Sequence, residues 1–309
     1  MSATSGGSGP HGESPGTVHA ALATAQTGFA LFPIFGKLAL ASISPFVLAA
    51  IRVVAAALLL ELVRRAYRAQ PIPKAERGRL FLYALLGVSF NQVLFILGLS
   101  MTTAIHTSIL MSSIPVFTIV TAALLRHEAL SARSVAGIVL AGTGALLLLS
   151  SRGFDWQSRY FRGDLLLLAN CLSYSIFLVL SRPILARCEP LTFVTAIFRY
   201  GAIPIVLVSL PAFGHFSPAS VTPTAWVSLA AIVLFSTTIP YFLNTWALAR
   251  IAASRVAVYV FFQPLVASVL AILVLGERPG WKTAVAAALI FSGLGATLRR
   301  ARLPLRPLP

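Results

Sequence analysis

Amides, hydroxyls and aromatic rings recur at helical spacing inside otherwise apolar stretches of this chain. Gln26, Ala30, Pro33 and Lys37 fall at +4, +7 and +11, on one face of a helix. Asn170, Tyr174, Phe177 and Ser181 repeat that spacing 144 residues later. Thr237, Tyr241 and Asn244 share a third face, with Gln92 and Phe95 as their counterparts in the first half. Tyr259 and Gln263 stand four apart beside Pro264, and His106 and Ser113 seven apart. Such groups can hydrogen-bond a small solute and stack against it. They have two readings inside a membrane: they line a pathway, or they hold helices together through hydrogen bonds. Matched polar faces in two halves are what a central pathway requires.

Other chemistry has no machinery here. No Ser/His/Asp arrangement and no paired carboxylates inside a span are visible, so hydrolysis and glycosyl transfer lack an acid, a base or a nucleophile. His106 has no second ligand at i+4. Cys171 and Cys188 show no metal-type or disulfide-framework spacing. Gly142-x-Gly144 and Gly293-x-Gly295 lie in apolar helices, where glycine permits close packing rather than nucleotide binding. No cofactor and no metal are expected. Arg52 and Arg199 occupy comparable places in the two halves. They either attract an anion or bond neighbouring carbonyls, and the second reading is preferred. Lys37 is placed to snorkel. Glu128 and Glu277 close apolar runs and are expected to serve helix ends.

The elements that must position these residues are long apolar runs. Hydrophobic residues make up 58% and charged residues 10% of the 309, against about 25% charge in a soluble domain. Spans are expected at 19–40, 45–66, 79–99, 104–126, 132–150, 163–182, 191–211, 225–248, 252–275 and 281–299, each near the roughly 20 residues that cross a bilayer. The runs do not alternate as barrel strands would. The expected class is therefore all-α, with ten transmembrane helices in contact with lipid. Residues 1–18 read as a disordered tail rich in Gly, Ser and Pro, without a signal peptide, and residues 300–309 as a basic tail.

The chain repeats itself. Adding 149 maps Leu99 on Leu248, Ala104 on Ala253, Pro115 on Pro264, Glu128 on Glu277 and Gly144 on Gly293. The repeats are set at 19–150 and 151–299. The second copy reads Ala247-Leu248-Ala249, Pro264-Leu265, Gly276-Glu277 and Gly293. The first reads Gly98-Leu99-Ser100, Pro115-Val116, His127-Glu128, Gly137 and Gly144. This duplicated pattern resembles the ten-helix, EamA-type transporters of the drug/metabolite transporter superfamily, with His127 replacing the expected glycine. The resemblance implies secondary transport of a small molecule, with spans 1, 3, 4, 6, 8 and 9 around the cavity. The polar faces on those spans make Gln26, Gln92, Phe95, His106, Asn170, Tyr174, Tyr241, Asn244, Tyr259 and Gln263 the candidate substrate-binding set. Phe29, Trp246 and Phe262 are further candidates for an apolar wall. The alternatives, a lipid-modifying enzyme or a non-transporting scaffold, lack a reacting set or leave the duplication unexplained.

Charge sets an orientation. With the N-terminus inside, sixteen Lys and Arg fall on the inside, five outside and three within spans. The positive-inside bias thus places both termini in the cytoplasm, and it accounts for a net charge of +16 without nucleic acid. Five spans per half make the second half inverted relative to the first. None of the eight acidic residues is expected near the membrane midplane. That favours uncoupled movement or exchange of a neutral or zwitterionic solute, with His106 the remaining group able to titrate near neutral pH. A monomer in a bacterial inner membrane is expected.

Overall fold

The computed structural model describes residues 15–72, 76–125, 132–150 and 157–298. Ten helices cover them: α1 Pro15–Leu40, α2 Pro45–Ala66, α3 Arg77–Met101, α4 Ala104–Leu124, α5 Ala132–Ser150, α6 Arg159–Leu185, α7 Pro190–Phe213, α8 Pro223–Leu248, α9 Ala253–Leu275 and α10 Trp281–Leu298. No strand occurs among the described residues. Eight helices are long and apolar enough to cross a membrane, while α5 and α10 carry shorter apolar stretches, Val135–Leu148 and Trp281–Gly293. Leu58, Leu62, Leu265 and Leu273 on the outside of the bundle are exposed, as lipid contact requires. The helix at Pro15 begins four residues before the expected start of the first span.

The helices pair as two inverted copies. Helix α1 packs on α8 and α9, and its counterpart α6 packs on α3 and α4. Helix α2 packs on its own counterpart α7, and α5 on α10. That exchange of partners is the signature of two five-helix repeats related by a two-fold axis. The α5–α10 pair stands apart and is joined by small residues. A β-carbon on Gly293 would lie 2.5 Å from the Gly137 carbonyl oxygen, so only glycine lets the backbones approach this closely. Gly142 faces open space and takes no part.

Two irregularities recur in both repeats. Helix α3 widens to a π-turn over Leu85–Phe90, and α8 does so over Leu234–Thr238. Ser89 and Thr238, which are equivalent, each bond the carbonyl five residues back, on Ala84 at 3.4 Å and Val233 at 2.7 Å. Helix α4 breaks at Ser112 and Ser113 before Pro115, and α9 tightens to a 3₁₀ turn over Tyr259–Phe261 before Pro264. Proline supplies no N–H and forbids the regular ladder at that step. The Ile114 carbonyl, just before that proline, accepts from the Thr118 hydroxyl at 2.8 Å and from the Ser175 hydroxyl at 2.9 Å. Departures from α geometry often mark functional places. Here all four adjoin residues around one space: Asn91, Met111 and Ile114, Ser236, and Gln263.

Candidate functional site

That space is a central cavity lined by Phe29 and Phe32 of α1, Asn91, Gln92 and Phe95 of α3, Met111 and Ile114 of α4, Asn170 and Tyr174 of α6, Ser236 and Tyr241 of α8, and Gln263 of α9. Its volume is about 60 Å³, room for roughly four to six waters.

Its polar groups form two connected networks. In the first, Gln263 Nε2 donates to Gln26 Oε1 at 2.6 Å, Gln26 Nε2 to Asn244 Oδ1 at 3.3 Å, and Asn244 Nδ2 to the Tyr174 hydroxyl at 2.9 Å. Four helices, α9, α1, α8 and α6, are joined by that chain. In the second, Gln92 Nε2 donates to the Tyr241 hydroxyl at 2.5 Å, which donates to Asn91 Oδ1 at 2.7 Å. Asn170 Nδ2 donates to the Asn91 carbonyl at 2.5 Å. All of these residues are buried, and buried amides without partners would be costly. The Ser236 hydroxyl lines the cavity and has no protein partner, leaving it for a solute.

Rings supply the remaining wall. Phe32 stacks on Phe95 with centroids 4.6 Å apart. Tyr241 meets Phe29 edge-on at 5.4 Å and Phe198 at 5.0 Å. The space thus presents amide and hydroxyl groups on one part and aromatic surface on another, the make-up of a small-molecule site.

Eight of the ten candidates converge here: Gln26, Gln92, Phe95, Asn170, Tyr174, Tyr241, Asn244 and Gln263. Two do not. Tyr259 does not line the cavity; its hydroxyl pairs with His19 Nδ1, near the start of α1. His106 lies toward the opposite end of the bundle, in the first turn of α4. It is not alone there, since Nδ1 is 3.3 Å from Asp164 Oδ2 and Nε2 3.4 Å from Thr283 Oγ1. Trp246 holds the Arg250 guanidinium over its ring, and Phe262 is exposed, so neither shapes the cavity. Sequence reasoning passed over Asn91, Phe32, Met111, Ile114 and Ser236. Asn91 could have been found from its place beside Gln92, and Ser236 from its place beside Thr237.

Each face beyond the cavity carries a contact from a basic side chain to a loop carbonyl, and the two carbonyls are equivalent. At the face where α1 ends, the partly exposed Lys37 donates through Nζ to the Thr102 carbonyl. At the face where α6 ends, Arg182 Nε donates to the Ile251 carbonyl at 3.4 Å. Residues 102 and 251 are related by the 149-residue offset. The Lys37 face is also tightly packed. A β-carbon on Gly98 would lie 2.9 Å from the Gly163 carbonyl oxygen. There too, Glu277 accepts from the N–H groups of Ala104 at 2.7 Å and Ile105 at 2.9 Å, free donors at the start of α4. Gly276, at φ 66°, ends α9 in the left-handed conformation and so aims Glu277 across the loop. This is the helix-end role expected of Glu277. Glu128 lies outside the described residues.

The chain belongs to the EamA-like transporter family, whose model matches residues 17–150 and again 161–299. It is a multi-pass membrane protein of a transporter family. It is 28% identical over 266 residues to an uncharacterized transporter of Archaeoglobus fulgidus, covering 85% of this chain and 91% of that one. It is 29% identical over 215 residues to a probable terminal-alkyne amino-acid exporter of Streptantibioticus cattleyicolor, covering 69% and 70%. A solved crystal structure matches in fold with a TM-score of 0.67 at 19% identity, covering 92% of this chain and 97% of that one.

Proposed function

We propose that this protein is an alternating-access secondary transporter that exports a small metabolite, an amino acid or an amphipathic compound, across a bacterial inner membrane. Both termini face the cytoplasm in this reading, which the distribution of Lys and Arg supports. The solute binds among Gln26, Gln92, Asn170, Tyr174, Tyr241, Asn244 and Gln263, with Phe95 in the wall. The protein acts as a monomer, without cofactor and without covalent chemistry. The lipid-enzyme alternative is not favoured, since the cavity groups are neutral amides and hydroxyls.

One observation carries the proposal. Matching closing contacts, Lys37 to Thr102 and Arg182 to Ile251, stand on opposite sides of one cavity built from both repeats. Inverted repeats can exchange conformations, so that whichever contact breaks decides the face that opens. Movement needs no ion in this reading, and the direction follows the solute gradient.

Counterflow into proteoliposomes tests it. Uptake of labelled solute against unlabelled solute trapped inside, unaffected by a pH gradient, is expected. Gradient-driven accumulation abolished in His106→Ala would overturn the uncoupled mechanism. No solute flux across a metabolite panel would overturn transport itself.

A further inference from the structure

The most unusual side chain in the molecule is Arg52 of α2. It is fully buried, at 0% exposure. None of its three guanidinium nitrogens has a hydrogen-bond partner. The expectation from sequence, that it bonds neighbouring carbonyls and holds the bundle, is reversed. No carboxylate pairs with it among the described residues. Arg199, at a comparable place in α7, differs, lying largely exposed with Glu61 at 3.9 Å.

A guanidinium carries five N–H donors in a fixed fork and holds its charge. Buried cations are found paired or hydrogen-bonded, because neither protein nor lipid otherwise replaces their water. Arg52 has one compensating contact, the Phe32 ring, whose centroid is 4.2 Å from Cζ. A ring face leaves every N–H unspent. Phe32 is also a wall of the central cavity and the ring that stacks on Phe95. Phe32 therefore touches both the unpaired cation and the solute space.

Resting on the transporter reading above, we propose that Arg52 is the anchor for a carboxylate group on the transported solute, uncovered when Phe32 swings aside. The chemistry selects the anion. A carboxylate matches the guanidinium fork through two parallel N–H···O bonds. It carries one negative charge, which one arginine neutralises. A phosphate dianion would bring a second charge into a cavity whose other polar groups are neutral amides and hydroxyls. The rest of the solute then meets Phe29, Phe95 and Tyr241, and the free Ser236 hydroxyl. Wholly neutral solutes drop out of the substrate class. What remains is a carboxylate on an amino acid or on a simple organic acid.

The test pairs solutes that differ in that group alone. Purified protein is heated with phenylacetate or phenylacetamide, and with L-leucine or L-leucinamide, beside a wider panel of amino acids and organic acids with their amides. At least one carboxylate is expected to raise the melting temperature where its amide does not, since binding to the native state stabilises it. The amino-acid and simple-acid arms show which source the site takes. Arg52→Gln is expected to abolish the carboxylate shift, and Arg52→Lys to retain part of it. Ligand-free Arg52→Gln is expected to melt no lower than the parent, because a buried unpaired charge is removed. A carboxylate shift that persists in Arg52→Gln, a panel in which amides and carboxylates shift alike or no carboxylate shifts, or a ligand-free variant melting well below the parent would each overturn the anchor. Flux in proteoliposomes separates this inference from its premise. A carboxylate that binds through Arg52 but never crosses overturns transport and leaves the anchor standing. A carboxylate that crosses equally well in Arg52→Gln does the reverse.

Discussion

Gln92 and Tyr241 occupy the same position in the two repeats, 149 residues apart, and they are hydrogen-bonded to each other at 2.5 Å. Equivalent residues can touch only where the symmetry axis passes. The centre of the cavity is therefore the pivot of the molecule. Tyr241→Phe removes the hydroxyl that joins Gln92 to Asn91 while keeping the ring. It leaves buried amide groups unpaired, at a cost of about 1–3 kcal/mol. Solute flux is expected to fall about tenfold or more, with a modest drop in melting temperature. Flux equal to the parent would remove Tyr241 from the site.

The chain from Gln263 through Gln26 to Asn244 makes its members interdependent. Gln26→Leu and Asn244→Leu are each expected to weaken solute binding. The double variant is expected to be little worse than the singles, with a coupling of about 0.5–3 kcal/mol. A thermodynamic cycle on binding constants measures this. Strictly additive losses would mean that the two amides act separately.

The closing contacts give opposite expectations at the two faces. Lys37→Met removes the donor to Thr102 and is expected to favour opening at that face. Arg182→Met is expected to favour opening at the other. A charged hydrogen bond contributes about 1.5–3 kcal/mol, so the populations should shift roughly ten- to hundredfold. Labelling rates of single cysteines placed near Thr103 and near Ser254 read both. Two variants that shift accessibility at the same face would end the latch interpretation.

Gly293→Leu tests the peripheral pair. Its side chain has no room against the Gly137 carbonyl and the Ala141 backbone. A loss of about 1–3 kcal/mol or more is expected from overpacking, with the order of solute preference unchanged. A stable variant with altered preference would place α5 and α10 in the pathway after all.

Much of this architecture was legible beforehand because hydropathy and punctuation report on it directly. Pro115 and Pro264 mark the broken helices, and the faces at Gln26 and Asn170 point inward as their spacing implies. Tyr259 was misplaced for a specific reason. Its +4 spacing to Gln263 aligns two residues only at 3.6 residues per turn, and the intervening 3₁₀ turn rotates Tyr259 out of line. His106 shares a helix with the cavity residues but stands five positions before Met111, about 7.5 Å along the axis. The π-turns escaped notice because widening by one residue leaves composition unchanged. Arg52 was misread because an arginine's partner, or its lack of one, is set by tertiary neighbours that no local pattern encodes.

The meeting of Gln92 with Tyr241 also constrains how the protein is made. A ribosome delivers α1 to α5 before any of α6 to α10 exists. During that interval Gln26 has neither Asn244 nor Gln263, Gln92 has no Tyr241, and the start of α4 has no Glu277. The first half must therefore enter the bilayer with its inward amides unanswered, held by water or by insertion machinery. Its folding is complete only when the loop after α9 emerges. A chain released after Ser150 would remain a substrate for quality-control proteolysis rather than a half-transporter.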